Sequence, residues 1–205
     1  MPGVQLGENG PKFATYNVGV TDGKAESFGN YYCWGGKYAN GADIKWCDDS
    51  KGGEGDLTAD EDAATQNWGS NWRMPTSTEF ENLLDNCTWK LTTQEGFYGL
   101  LCTGKDDYVS NCIFLPAAGS CVDSFEEDGN GILDGVKNEE DTYEYGQYFS
   151  STSNPDSYID TENGPYYDMS LSLFFGTTWQ GLFNPMVDEE CCRYFASSVR
   201  AVLNE

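Results

Sequence analysis

Apolar positions along this chain fall into short runs rather than long periodic stretches. The clearest period is helical. Phe80, Leu83, Leu84 and Cys87 recur at helical spacing and make one apolar face. Immediately upstream, Thr76-Ser77-Thr78-Glu79 follows Pro75 and fits the S/T-x-x-E box, in which hydroxyl and carboxylate each satisfy a backbone N–H at the helix start. A helix from Thr76 is therefore the strongest local expectation. A second box, Thr58-Ala59-Asp60-Glu61, predicts a helix running to about Trp68, with Gly69 as its stop.

The remaining pattern is that of strands. Val4-Gln5-Leu6 and the segment Lys12 to Val18 read as extended. Cys112-Ile113-Phe114-Leu115 has the composition of a short buried strand, stopped by Pro116 and Gly119. Leu171, Leu173 and Phe175 alternate with Ser172 and Phe174, as in a strand with one buried face. Ser198 to Leu203 reads as a closing strand. Residues 29 to 56 are rich in Gly, Asp, Tyr and Trp without a period and read as loop, and residues 122 to 147 read as an acidic insertion. No repeat or linker interrupts the chain, so one domain over residues 1–205 is the economical expectation.

Composition narrows the class. Aromatic residues make up 15% of the 205 positions and Gly accounts for 24, which suits short strands joined by structured loops and opposes disorder. Asp and Glu number 34 against 11 Lys and Arg, a formal charge of -23. A surface of that sign repels nucleic-acid phosphates and anionic membranes, so neither is expected as a partner. Solubility is the ordinary reading of such acidity. No run of 18 apolar residues is present, so no membrane-inserted helix is expected. The first ten residues carry no basic region followed by an apolar run.

Histidine is absent, which removes the commonest general base and the commonest metal ligand together. A Ser-His-Asp or Cys-His site cannot be built within this chain. The eight cysteines are Cys33, Cys47, Cys87, Cys102, Cys112, Cys121, Cys191 and Cys192. Their even number points to an oxidising, extracellular compartment and at least one disulfide, with the pairing left open among 105 connectivities. Zinc is the rival reading. It lacks a C-x2-C pair and any histidine to complete a site.

Several phrases fall in a characteristic order: Phe13-Ala14-Thr15-Tyr16-Asn17-Val18-Gly19, Gly29-Asn30-Tyr31-Tyr32-Cys33-Trp34-Gly35, Asp62-Ala63-Ala64, and Trp72-Arg73-Met74-Pro75-Thr76 with Glu79. Phe114-Leu115-Pro116-Ala117-Ala118-Gly119, Tyr148-Phe149-Ser150-Ser151-Thr152 and Ser198-Val199-Arg200-Ala201-Val202 complete it. The ordered set, spanning roughly residues 4 to 203, resembles the FISUMP family (Fibrobacter succinogenes major paralogous domain). The resemblance implies an α+β, C-type-lectin-like fold, with two helices flanking small antiparallel sheets, long structured loops, and paired N- and C-terminal strands. These phrases have structural rather than catalytic roles. Trp72 and Pro75 would fix the approach to the second helix, and Arg200 is expected to pair with a buried carboxylate. Some relatives of this kind resemble targets of diversity-generating retroelements, which vary codons just ahead of the closing strand. Cys191-Cys192-Arg193-Tyr194-Phe195-Ala196 would occupy that place.

Three candidate sites arise. Asp128, Asn130, Asp134 and Glu139 place oxygens at EF-hand-like loop positions, so Ca2+ is a candidate ligand although no cofactor is required. Ile132 and Leu133 break that pattern, and a solvated acidic loop is the alternative. Asn154-Pro155-Asp156 has the carbonyl-proline-carbonyl form of lectin calcium sites, without the companion Trp-Asn-Asp triplet. The second candidate is aromatic. Tyr166, Tyr167, Phe174, Trp179, Phe183, Tyr194 and Phe195 exceed what one strand can bury, and Tyr166, Tyr167, Trp179, Phe183, Tyr194 and Phe195 are expected to cluster on a loop-rich binding face. An unusually aromatic core is the alternative. The third is an enzyme like the formylglycine-generating enzymes, which share the general fold, but the chain has no matching active-site phrase. The expected function is non-enzymatic recognition of a cell-surface protein or glycan by an adhesin or receptor-binding domain on a bacterial surface or phage virion. A structural role, as a decoration or fibre module in a homo-oligomer or larger surface or virion assembly, is the alternative.

Overall fold

The computed structural model describes residues 3–36, 39–40, 55–123, 131–137, 143–154, 158–161, 164–167 and 169–204. The first half contains β1 (Val4–Gln5), β2 (Lys12–Phe13), β3 (Tyr31–Cys33), β4 (Ala39–Asn40), α1 (Ala63–Trp68), β5 (Trp72–Arg73) and α2 (Ser77–Asn86). Then come β6 (Cys87–Gln94), β7 (Phe97–Gly104), β8 (Cys112–Pro116), β9 (Ser120–Asp123) and β10 (Gly131–Asp134). The last part holds β11 (Glu144–Ser153), β12 (Tyr158–Thr161), β13 (Gly164–Tyr167), β14 (Met169–Thr178), β15 (Gly181–Cys192), β16 (Ala196–Ser197) and β17 (Val202–Leu203). These strands form small antiparallel sheets in the orders β1-β2-β17-β5, β10-β9-β16-β3-β4, β11-β14-β15, β12-β13 and β6-β7-β8. With two helices beside them, the class is α+β.

The chain ends meet, the pairing that the FISUMP resemblance implies. Val202 pairs with Phe13, and beyond β2 the Ala14 and Val18 amides donate to the Ala201 and Val199 carbonyls at 2.8 and 2.9 Å. Only Lys12 and Phe13 are regular strand, however. The rest of the segment follows its partner irregularly. Two cores form on either side of this seam. One gathers Phe13, Phe80, Leu83, Leu100, Leu115, Leu173 and Phe175, and the other gathers Val18, Tyr32, Trp34, Met74, Phe149 and Val199.

Helix α2 begins as its capping box dictates. The Thr76 hydroxyl accepts from the Glu79 amide, and the Thr76 amide donates to Glu79 Oε2 at 2.8 Å. Phe80 and Leu83 are buried, while Cys87 leaves the helix to open β6. Glu79 also receives Arg73 in a two-pronged contact, Nη1 to Oε2 at 2.7 Å and Nη2 to Oε1 at 2.5 Å. Burial pushes the Glu79 carboxyl up, but the hydrogen bonds from Arg73 and Thr76 outweigh it and hold the group below its usual value. Glu79→Gln should therefore cost about 1 kcal/mol at pH 7, discounted for partial exposure. A depressed carboxylate pKa stabilises the fold above the unfolded value. The wild-type advantage should therefore shrink as pH falls below the ordinary 4.5 of this carboxyl, in urea titrations across pH.

The first helix departs from expectation. It starts at Ala63, not near Thr58, and its cap is Asp62, whose Oδ1 accepts from the Thr65 amide at 2.8 Å. The Thr58 box closes a turn instead, with the Thr58 amide and hydroxyl both donating to Glu61 Oε2. A long-range contact decides between the caps. Asp62 Oδ2 also accepts from the Met74 amide at 2.8 Å, tying the helix start to the strand that precedes α2. Burial pushes the Asp62 carboxyl above its usual range. The segment read as loop over residues 29 to 56 contains β3, which pairs with β16, and Tyr32 and Trp34 are fully buried. Both ends of the acidic segment 122 to 147 are likewise in sheets, through β9–β10 and β11.

Arg200 is fully buried, but its partners are not carboxylates. Its Nε donates to Asn17 Oδ1 at 2.8 Å, Nη1 to the Ala14 carbonyl at 3.1 Å and Nη2 to the Phe114 carbonyl at 2.9 Å. Burial pushes the guanidinium down to about 10, still far enough above neutrality to keep it charged. Three aligned acceptor dipoles thus replace the expected counter-ion.

Cys33 is disulfide-bonded, whereas Cys87, Cys102, Cys112, Cys121, Cys191 and Cys192 stand as thiols. Burial pushes Cys87 up to about 11 and Cys121 up to about 12. Exposed Cys112 should consume maleimide first in the native protein, with Cys102 and Cys191 reacting only on denaturation. Peptide mapping after timed labelling checks that order.

A candidate ligand cleft on the β11–β14–β15 sheet

The three-stranded sheet has two unlike faces, set by the two-residue period of its strands. On one face Tyr148 pairs with Leu173 and Leu173 with Val187, while Phe175 lies opposite Gly146, and this face packs into the first core. The other face carries two cross-strand rows. Gln147, Phe174 and Met186 form the first, and Tyr145, Gly176 and Phe183 form the second. Gly176 has φ +115°, and an added Cβ would run into the Glu144 carbonyl oxygen, so the second row has no central side chain. A register shift between Phe174 and Gly176 brings Phe183 onto the same face.

Those rings touch in series. Tyr145 and Phe174 have centroids 5.3 Å apart at 37°, and Phe174 meets Phe183 edge-on at 5.7 Å. Together they floor an open cleft of about 480 Å3. Trp179 and Gln180, at the tip of the β14–β15 hairpin, form one wall. Ser120 and Asp134 of the β9–β10 hairpin form another, and Cys192 and Phe195 a third. Tyr143, Gln147, Thr178, Met186 and Asp188 complete the lining. Its volume lies in the usual range for small-ligand sites.

A polar chain fixes the floor. The Tyr145 hydroxyl donates to Asp134 Oδ2 at 2.8 Å, so the 2.8 Å contact between that hydroxyl and Ser120 Oγ has the serine as donor. The Tyr145 backbone is held from both directions, its amide donating to Gly135 and its carbonyl accepting from Gly119. Gly135 has φ +75°, and a Cβ there would collide with Tyr145 Cε1, so only glycine lets the ring lie flat on this turn. Burial, together with the adjacent Asp134 carboxylate, pushes the Tyr145 phenol well above its ordinary value. It therefore remains a proton donor at neutral pH.

The sequence-derived site residues divide. Trp179, Phe183 and Phe195 line the cleft, Trp179 being 75% exposed and the other two half-buried. Tyr194 is also half-buried and adjoins Phe195, but it is not part of the described lining. Tyr166 and Tyr167 pair with Ile159 and Tyr158 in the β12–β13 hairpin, and their side chains lie outside the described set. Of the four candidate calcium ligands, Asp134 is on the cleft wall and Asp128, Asn130 and Glu139 lie outside the described residues, as do Pro155 and Asp156. Among the described residues, no three His, Cys, Asp or Glu side chains form a group able to hold a metal ion. Sequence reasoning missed Tyr143, Tyr145 and Met186, and counted Phe174 among the surplus rings without placing it in the binding face. The signal for Phe174 was present, because a strand that buries Leu173 and Phe175 on one face must present Phe174 on the other.

Half of the segment 191–196 ahead of the closing strand is interior. Cys191, Arg193 and Ala196 are buried. The Arg193 guanidinium carbon lies 4.1 Å from the centroid of the Trp34 ring, and Nε donates to the Met169 carbonyl at 2.7 Å. Phe195 is carried by the turn that follows, closed by its amide donating to the Cys192 carbonyl at 3.2 Å. No family model, no curated protein and no solved structure matches this chain.

Proposed function

We propose that this protein is a non-enzymatic recognition domain, displayed on a bacterial surface or phage virion, that binds a protein or glycan in the cleft over the β11–β14–β15 sheet. The observation that carries this reading is an aromatic cleft lining in which Trp179 is exposed and Phe174, Phe183 and Phe195 are half-buried. Solvent-facing Trp179 and exposed Met186 lie on the same lining and present apolar surface that a ligand would cover. Flat rings held by a packed sheet offer contact area at little entropic cost. The polar atoms of Asp134, Gln147 and Asp188 at the rim and floor supply direction. The resemblance to FISUMP and C-type-lectin-like domains agrees with such a role but adds no ligand.

The test is a glycan and surface-protein binding screen with Trp179→Ala and Phe183→Ala as controls. Trp179→Ala should weaken a genuine ligand by about 2 kcal/mol, roughly 30-fold, while the melting temperature stays nearly unchanged because the ring is exposed. A ligand whose affinity ignores both substitutions would move the site elsewhere. Sedimentation of the ligand-free protein separates the alternative structural role: a stable oligomer that Trp179→Ala dissociates would make this face an assembly contact.

A further inference from the structure

Accepting the cleft as the recognition site, we infer that the group it receives is cationic, the guanidinium of an arginine side chain on a protein partner. Asp134 and Asp188 place two carboxylates on the lining, and no lysine or arginine is among the described lining residues. The Asp134 carboxylate is oriented by the Tyr145 hydroxyl rather than by a cation. The same lining holds the contiguous ring series Tyr145, Phe174 and Phe183. An aromatic face beside a carboxylate attracts a positive group twice, through the ring quadrupole and through the charge. A neutral sugar stacks on the rings and donates its hydroxyls to the carboxylates but gains no charge attraction, and an anion is repelled.

Guanidinium fits this arrangement better than ammonium. It is planar, weakly hydrated, stacks on rings and presents paired N–H donors to a carboxylate. The chain uses the same chemistry internally a short distance along the sequence, where the Arg193 guanidinium sits over Trp34. At long range, a net charge of -23 draws basic partners towards the molecule and speeds encounter. The inference thus assigns the partner a basic surface with an arginine projecting far enough to enter a cleft of about 480 Å3.

The experiment is a titration of the full chain with two blocked tripeptides, acetyl-Gly-Arg-Gly-amide and its citrulline counterpart, which has nearly the same shape without the charge. The Trp179 indole resonance and the Phe174 and Phe183 ring resonances report binding. The arginine peptide should shift them saturably and bind at least about tenfold tighter than the citrulline peptide. Raising salt from about 0.05 to about 0.5 M should weaken it several-fold. Asp134→Asn and Asp188→Asn should each weaken it about fivefold or more. The amide oxygen introduced by Asp134→Asn can still accept from the Tyr145 hydroxyl, so the melting temperature of that variant should stay close to wild type. Equal binding of the two peptides, or no saturable shift with either, overturns the cationic inference. If the binding screen then yields a neutral glycan that depends on Trp179, recognition by the cleft stands and only the ligand class falls. If no ligand depends on Trp179, the recognition reading falls with it.

Discussion

Replacing Arg200 with alanine should destabilise the protein by roughly 4 kcal/mol, a large share of the stability of an ordinary domain. The side chain is fully buried and is shared among three regions: the Ala14–Asn17 stretch beside the closing strand, the middle of β8, and β17's own approach. Truncation orphans the Asn17 amide oxygen and two backbone carbonyls where water cannot easily reach, and leaves a cavity. Tyr148 feels the same loss. Burial pushes its phenol up to about 12 while Arg200 and Asn17 pull it down, and its hydroxyl donates to the Pro116 carbonyl at 2.7 Å. Arg200→Met separates the two contributions, because methionine refills much of the volume but satisfies no acceptor. Urea unfolding should place it between alanine and wild type, at a loss of about 2 kcal/mol. A loss below about 1 kcal/mol for alanine would show that the guanidinium contributes little beyond its own desolvation cost.

Trp34→Ala should cost about as much, roughly 3 to 5 kcal/mol. This indole is fully buried in the second core, and its Nε1 donates to the Ser150 carbonyl at 2.8 Å. It also supports the Arg193 guanidinium, which in turn ties the end of β15 to the start of β14 through the Met169 carbonyl. The loss therefore reaches the cleft, since the turn carrying Phe195 begins one residue before Arg193. Trp34→Phe keeps a ring beneath the guanidinium and gives up the N–H, so it should lose only about 1 to 2 kcal/mol and preserve binding. Chemical denaturation with a ligand titration on the folded fraction checks both. A Trp34→Phe loss as large as that of alanine would mean that the indole N–H bond, not the stacking, holds this corner.

Local chemistry made much of the scaffold readable in the sequence. Thr76 and Glu79 fix the start of α2 because their hydrogen bonds lie within one turn, and no distant residue is needed to complete them. Leu173 and Phe175 mark a buried face because a strand repeats every two residues. The pairing of the N- and C-terminal segments follows from the family-like phrases, and the apolar run at each end supplies the surfaces that meet. The absence of histidine and the excess of acid settle which side chains are present for chemistry anywhere in the fold.

Tertiary structure decided what those local rules leave open. Asp62 rather than Thr58 starts α1, because its second carboxylate oxygen finds the Met74 amide twelve residues away. Carbonyls rather than a carboxylate surround Arg200, because the closing strand meets β8 and the Asn17 turn there. Trp179, Phe183 and Phe195 were legible as surplus rings. Phe174 sits on the same hairpin as Trp179 and Phe183, and Tyr145 and Asp134 join them only because β11 and the β9–β10 hairpin fold against that hairpin. Sequence spacing encodes which face of a strand a residue occupies. It does not encode which other strand's face lies opposite, and a cleft exists only where two such faces meet.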